Sequence, residues 1–262
     1  MSLITIDPDK CNHDGLCIQA CPANLIEGTK GEIPMAVARA EDSCIRCGHC
    51  VAMCPTGALT NELLPMEAFL PMPSERPDAE AMEGLLISRR SVRAFRKEPV
   101  PREQSERLVE VARRAPTASN SQNVSWVMIE DPQRLDRIRE LTLEWMATIP
   151  GRSRYLESAA KGRDVVLRGS PVLAVAHGPQ TYDWTDVDCA IALTYMELQA
   201  AAMGLGTCWA GLVTMASRNT PDLHQVLGLP EGNQMGGALM LGKPRLKYYL
   251  VPSRNPARVT WL

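Results

Sequence analysis

Cys44-Ile45-Arg46-Cys47-Gly48-His49-Cys50-Val51-Ala52-Met53-Cys54-Pro55 is the stretch from which the first part of the chain is read. Three cysteines recur with two residues between them, a fourth follows after three more, and a proline closes the run. Thiolates are soft ligands, and this spacing suits a 4Fe–4S cubane, each of whose irons offers one open position. Gly48 leaves room for the backbone to pass close to the sulfides. A zinc knuckle is the other use of such sulfurs, but zinc sites read as two separated C-x2-C pairs.

Upstream the same pattern occurs once more. Cys11, Asp14, Cys17 and Cys21-Pro22 match the later run position for position, with Asp14 where a cysteine is due. The two runs form an internal repeat. Leu3-Ile4-Thr5-Ile6 alternates and reads as a short strand, and residues 33–37 supply strand material between the runs. A segment this small buries little core, so bound clusters are expected to staple it.

Residues 1–62 resemble the two-cluster bacterial ferredoxins, a small α+β fold. The resemblance implies crossed ligation: Cys44, Cys47 and Cys50 share one cluster with Cys21, and Cys11 and Cys17 share the other with Cys54. Asp14 is the departure. Either its carboxylate, a harder ligand than thiolate, binds the fourth iron, or Asp14-Gly15 is a surface turn beside a 3Fe–4S cluster.

Composition bounds the rest. The chain has 262 residues, 45% of them hydrophobic and 22% charged, enough for one large domain or two smaller ones. A net charge of -2 argues against a bulk nucleic-acid binder. No run approaches about 18 apolar residues, so no membrane span is expected. Met1-Ser2-Leu3 lacks the start of a signal peptide. Seven of the nine cysteines crowd into residues 11–54 at metal-ligand spacing, which favours a reduced, cytoplasmic setting.

Residues 63–79 hold Pro65, Pro71, Pro73 and Pro77 and read as a proline-rich linker. Its apolar side chains, Leu63, Leu64, Met66, Phe69, Leu70 and Met72, are expected to lie against the second domain, residues 80–262. That domain opens on a helix, residues 79–89, running into Arg89-Arg90-Ser91-Val92-Arg93-Ala94-Phe95. Such an arginine cluster is either a solvated basic face or a phosphate clamp, since guanidinium forks match phosphate oxygens. Residues 101–114 form an amphipathic helix, followed by the polar loop Ala115-Pro116-Thr117-Ala118-Ser119-Asn120-Ser121-Gln122-Asn123. A strand at 126–129 leads to a helix opened by Asp131-Pro132 and running to about residue 146. Strands are expected at 171–176, 207–213 and 238–241. Residues 186–203 form a helix with almost no polar face, expected to be buried all round, for which an intersubunit core is a good means in a chain of this size. The apolar end, Val259-Thr260-Trp261-Leu262, is expected to dock.

These pieces, with Gly204-Leu205-Gly206-Thr207-Cys208-Trp209-Ala210-Gly211, Leu241-Gly242-Lys243-Pro244 and Pro252-Ser253-Arg254, resemble the nitroreductase (flavin reductase) family over about 180 residues. The resemblance implies an α+β fold with a central, mostly antiparallel sheet, an obligate homodimer and FMN at each of two interface sites. It also implies a C-terminal tail that crosses to the partner. Carried over residue by residue, Arg89 and Arg254 match phosphate-binding arginines, and Arg90 and Ser91 lie beside the phosphate and ribityl chain. Arg93 matches a basic residue at the flavin pyrimidine edge. Pro116, Thr117, Ala118 and Asn120 match the loop that reaches the other subunit's flavin. Ala210 and Gly211 match backbone at the N5 edge. Asn123 and Val124 stand where the family often has Pro and Trp.

Other residues carry weaker readings. Cys189 and Cys208 read as core cysteines rather than redox thiols. His49 is a solvated loop residue or a donor tuning a sulfide. Trp145, Arg154, Tyr155 and Trp184 fall where the resembled family often covers the flavin face; ordinary packing or surface exposure is the other reading of each. No Ser/His/Asp or paired-carboxylate constellation is evident, and none is needed where, as the resemblance implies, a flavin carries the chemistry.

Together these features describe an FMN-dependent oxidoreductase in which iron–sulfur clusters relay single electrons to FMN. The electron source is a ferredoxin or other low-potential donor, and the acceptor a nitroaromatic, quinone or activated alkene. Two alternatives stand beside it. One is a NAD(P)H-dependent nitro/quinone reductase whose clusters pass electrons outward. The other is a non-catalytic electron-transfer or redox-sensing module.

Overall fold

The computed structural model describes residues 3–262, in two units. One holds the residues up to Arg76 together with Ser119–Ser121; the other holds Pro77–Ala118 and Gln122–Leu262.

The first unit is built of very short elements: β1 (Ile4–Ile6), α1 (Leu16–Ala20), β2 (Ile26–Glu27), β3 (Met35–Ala36), α2 (Ala40–Ser43), α3 (His49–Ala52) and β4 (Leu59–Asn61). Strand β1 pairs antiparallel with β4, and β2 with β3. The N-terminal strand expected from alternation is β1, and residues 33–37 contribute only β3. Leu3, Ile4, Leu25, Ile26, Val51 and Leu59 make a small core onto which Cys17, Cys21, Cys44, Cys54 and Phe69 pack. A Cβ at Gly48 would lie 3.1 Å from the Phe69 ring. Phe69 thus serves the first unit, while Leu63, Met66, Leu70 and Met72 are exposed. This corrects the expectation that the apolar side chains of residues 63–79 lie against the second domain. Leu64 reaches the same glycine, its Cδ1 3.6 Å from that Cβ position.

In the second unit the elements are α4 (Ala79–Ser88), α5 (Arg102–Ala112), β5 (Ser125–Ile129), α6 (Pro132–Ala147), α7 (Ser153–Ala160) and β6 (Val172–Pro179). Then come α8 (Thr185–Ala202), β7 (Gly206–Trp209), α9 (Gly211–Ser217), α10 (Pro221–Val226) and β8 (Asn233–Gly242). The sheet runs β5-β6-β8-β7, and every pairing in it is antiparallel. This is the expected α+β architecture. Strand β6 is a continuous apolar run because both of its faces are covered. Leu173 and Val175 enter one core with Ile138 of α6, Val213 of α9 and Leu223 of α10. Val172, Ala174 and Ala176 enter the other with Leu108 of α5 and Leu193 and Met196 of α8.

Local chemistry sets several boundaries. Asp131 Oδ1 accepts from Arg134 N at 2.7 Å and caps α6, with Pro132 in its first turn. Asp78 caps α4 in the same way, accepting from Ala81 N at 2.7 Å. Glycines let α8 approach the sheet, since a Cβ at Gly236 would come within 2.4 Å of the Cys189 Cβ.

One expectation is corrected. The strand expected at 207–213 ends at Trp209, where α9 takes over. Helix α8 buries only one stripe, including Cys189, Leu193, Met196 and Glu197, and leaves Val187 and Tyr195 exposed, because sheet and α5 cover one side of it. The terminal Trp261 and Leu262 are exposed, on a tail without regular structure. Among the described residues no helix is long and apolar enough to cross a membrane.

Candidate functional site

The repeat in sequence is a repeat in backbone. Gly15 and Gly48 take left-handed φ of 71° and 73° and open α1 and α3. Each short helix then carries one cysteine inward, Cys17 on α1 and Cys50 on α3. Each Cys-Pro sulfur accepts a backbone amide four residues on: Leu25 N donates to Cys21 Sγ at 3.3 Å, and Ala58 N to Cys54 Sγ at 3.2 Å.

Two hollows result. Cys21, Cys44, Cys47 and Cys50 line one. Cys11, Asp14, Cys17 and Cys54 line the other. All nine cysteines are free thiols. Among the described residues no three His, Cys, Asp or Glu side chains are placed to hold a single metal ion. Four ligating side chains around each hollow fit the iron–sulfur clusters that the cysteine spacing implies. Burial pushes the Cys50 thiol up to about 11, with Cys47, Cys21 and Cys44 adding like charge. Burial also raises Cys17, beside Cys11 and Cys54. At Cys54 burial acts upward too, but hydrogen bonds from Thr56 and neighbouring amides outweigh it and hold the thiol below its usual range. Asp14 Oδ1 accepts from Leu16 N at 3.0 Å, so one of its oxygens is already engaged in a turn.

Sequence reasoning missed Asn61. It is 3% exposed, and its Nδ2 donates to Cys44 Sγ at 3.8 Å while its Oδ1 accepts from Leu63 N at 3.0 Å. Nor was the setting of Asn120 foreseen. Within the first unit its Nδ2 donates to the carbonyls of Ile45 and Arg46, both at 3.0 Å.

In the second unit the arginine motif is stitched to the end of the sheet. Arg89 ends α4 with an extended backbone, Ser91 bridges Thr207, and Val92 N donates to Thr207 O at 2.8 Å. A Cβ at Gly206 would sit 2.7 Å from Val92, so glycine permits the close approach. The motif borders a cleft of about 220 Å³ lined by Arg89, Arg90, Gly204, Thr207 and Tyr248 among others. Two guanidinium groups in one cleft fit an anionic group such as a phosphate. Arg89 Nη1 lies 3.1 Å from Glu197 Oε1. Arg90 donates to the Ser88 carbonyl at 3.3 Å and also to Ile87 O, closing the carbonyl end of α4. Clefts of about 370 and 440 Å³ elsewhere on the unit include no residue of this motif.

The remaining predicted residues divide. Arg93 is exposed. Burial raises the Cys208 thiol, while Arg93 and Arg168 oppose that rise. Arg168 is a second basic residue near this point, unforeseen, on a left-handed backbone with φ 59°. Ala210 is buried, its N donating to Ala238 O at 2.8 Å, and Gly211 is exposed at the start of α9. Arg254 lies on the exposed tail and does not line the arginine cleft.

The 115–123 loop is held in a sparsely populated geometry: Ser119, Asn120 and Gln122 have φ of 51°, 53° and 51°. Strained non-glycine backbone of this kind clusters at functional sites. Both polar groups of the Ala118 backbone are engaged. Its N–H donates to the buried Asp188 Oδ1 at 3.0 Å, and its carbonyl accepts from Tyr182 Oη at 2.9 Å. Thr117 Oγ1 accepts from Gln122 N at 3.0 Å.

Known proteins agree with both halves of this description. Residues 86–243 match the nitroreductase family, and residues 3–55 match the 4Fe-4S dicluster domain. The chain is 28% identical over 203 residues to an NADH dehydrogenase of Thermus thermophilus, covering 70% of this chain and 93% of that protein. It is 39% identical over 59 residues to a ferredoxin of Methanothermococcus thermolithotrophicus, covering 22% of this chain and 93% of that one. Among solved structures, a nitroreductase with bound FMN from Desulfitobacterium hafniense superposes with a TM-score of 0.60. It is 22% identical, over 69% of this chain and 97% of that chain.

Proposed function

The chain belongs to the nitroreductase family and carries a 4Fe-4S dicluster domain ahead of that region, and on that premise we propose an FMN-dependent oxidoreductase in which single electrons, relayed by iron–sulfur clusters, reach FMN for two-electron reduction of a small organic acceptor. The acceptor is a nitroaromatic, a quinone or an activated alkene, and the source a ferredoxin or another low-potential donor. The observation that carries this reading is the presence, in one chain, of two sulfur-lined hollows and a two-arginine cleft on a nitroreductase sheet. Sites for one-electron and two-electron carriers on one polypeptide make a converter between the two kinds of chemistry.

The roles of the chain's own residues follow. Cys21, Cys44, Cys47 and Cys50 hold one 4Fe–4S cluster. Cys11, Cys17 and Cys54 hold the second, with Asp14 at its fourth corner either as an oxygen ligand or beside a 3Fe–4S cluster. Arg89, Arg90 and Arg254 bind the flavin phosphate, with Arg254 brought there from the tail of a partner or of the same chain. Ser91 would lie beside the phosphate and ribityl chain, and Arg93 would place positive charge at the pyrimidine edge. The backbone of Ala210 and Gly211 lies at the N5 edge. Pro116, Thr117, Ala118 and Asn120 shape the loop that meets the flavin of a homodimer partner. The exposed stripe of α8 and the exposed tail suit burial between two copies.

The likeness to the Thermus NADH dehydrogenase favours a second reading: nicotinamide reduces the flavin, and the clusters carry electrons outward. Rapid mixing of the anaerobic protein separates the two. Reduced ferredoxin is expected to bleach the flavin absorbance, and bleaching by NADPH alone overturns the inward direction.

A further inference from the structure

A buried carboxylate stands behind the arginine motif. Glu197, on the inward stripe of α8, is 6% exposed. One of its oxygens, Oε1, accepts from Arg89 Nη1 and from Thr207 Oγ1, both at 3.1 Å. Thr207 also holds the backbone of the motif, through Val92 N at 2.8 Å and the bridge to Ser91. A helix, a strand end and the arginine segment therefore meet at one carboxylate, beside the cleft that Arg89 and Thr207 line.

We infer that Glu197 is a positioning residue that presets Arg89 for the phosphate of the flavin. This rests on the reading of the arginine cleft as the flavin-phosphate site. A guanidinium presents its donors in a rigid planar fork, so holding one nitrogen fixes the direction of the others. An arginine left free must be ordered when the ligand arrives, and that ordering weakens binding. Glu197 removes the cost beforehand. Its charge acts in the opposite sense, because a carboxylate beside a phosphate site repels the phosphate. The two effects predict opposite signs on removing it. Positioning predicts weaker binding of the phosphorylated flavin; charge alone predicts tighter binding.

Riboflavin, which lacks the phosphate, supplies the control. The full-length protein, stripped of flavin anaerobically, is titrated with FMN and with riboflavin by flavin fluorescence. In Glu197→Leu the FMN dissociation constant is expected to rise roughly tenfold, as for a lost charge-assisted bond, with riboflavin binding unchanged within about twofold. Glu197→Gln keeps an acceptor oxygen and is expected to restore part of the loss. Thr207→Val keeps the carboxylate but removes one of its two donors, so a smaller selective loss is expected; it carries the test if Glu197→Leu does not fold. Equal losses for FMN and riboflavin mean that Glu197 only supports the fold, and overturn the inference. So does unchanged or tighter FMN binding. A wild-type protein that binds FMN no better than riboflavin overturns the phosphate reading of the cleft, and the inference with it.

Discussion

The two halves of the first unit share one backbone and differ in what surrounds the sulfur. Each opens a short helix at a left-handed glycine, carries a cysteine on that helix, and ends in a Cys-Pro whose sulfur accepts an amide. The later half places Cys47 where the earlier places Asp14. Gly48 lies under the Phe69 ring, whereas the nearest atom to a Cβ at Gly15 is a methyl of Ile18 at 4.0 Å. Cys50 is buried and Cys17 only partly so. Asn61 adds a side-chain donor to Cys44. A repeated frame can thus hold two sites of unlike chemistry, one all-sulfur and covered, the other bearing a carboxylate and more open. Cluster potentials depend on ligand type, hydrogen bonds to sulfur and exposure, so the two sites are expected to differ in potential and in lability.

The largest test removes the metal. With strands of two or three residues, the first unit is expected to depend on bound clusters for folding. Chelation under mild denaturation is expected to abolish amide-exchange protection at Ile4–Ile6 and Leu59–Asn61 and to leave it at Val172–Pro179. Survival of the first unit would show that its small core suffices.

Crossing of the ligands is tested next. Cys54→Ser is expected to damage the cluster beside Asp14 and spare the other, and Cys21→Ser to do the reverse, as read by EPR of the reduced protein. Loss of the same signal in both variants contradicts the pairing seen in the two hollows.

Smaller in effect is Asp14→Cys, which makes the halves alike in ligands. If the wild type holds a three-iron cluster, iron rises from about seven to about eight per chain and the oxidised three-iron EPR signal disappears. Iron already near eight in the wild type means that Asp14 is a ligand. The finest change is Asn61→Leu. An amide donor stabilises the more negative, reduced cluster, so its loss is expected to lower the potential of the all-cysteine site. The shift is about 20–60 mV, equivalent to about 0.5–1.5 kcal/mol for one hydrogen bond in a one-electron couple. Redox titration followed by EPR measures it, and an unmoved potential would mean that the 3.8 Å contact carries no weight.

Much of this was legible before any coordinates. The cysteine repeat, the Asp131-Pro132 helix start and the strand after Pro171 are local signals, and each appears where spacing and propensity put it. Helix α9 was not legible, because Leu212-Val213 reads as strand. The β7–β8 ladder ends one residue before that helix, at Ala210 N to Ala238 O, 2.8 Å. The polar residues behind the sites were hidden for a related reason. Asn61 is 17 positions from Cys44, Asp188 is 70 from Ala118, and Glu197 is 108 from Arg89. Nothing in a helix that otherwise reads as apolar marks which distant group each acid will meet.

By itself the sequence determined which atoms can bind iron and which basic residues stand together, because ligand type and short spacing are properties of neighbouring residues. Only the tertiary structure decided which sulfurs share a hollow, which arginine is held by a carboxylate and which closes a helix end. Those outcomes depend on close packing of distant segments, and a buried polar group takes whatever partner that packing brings within hydrogen-bond reach.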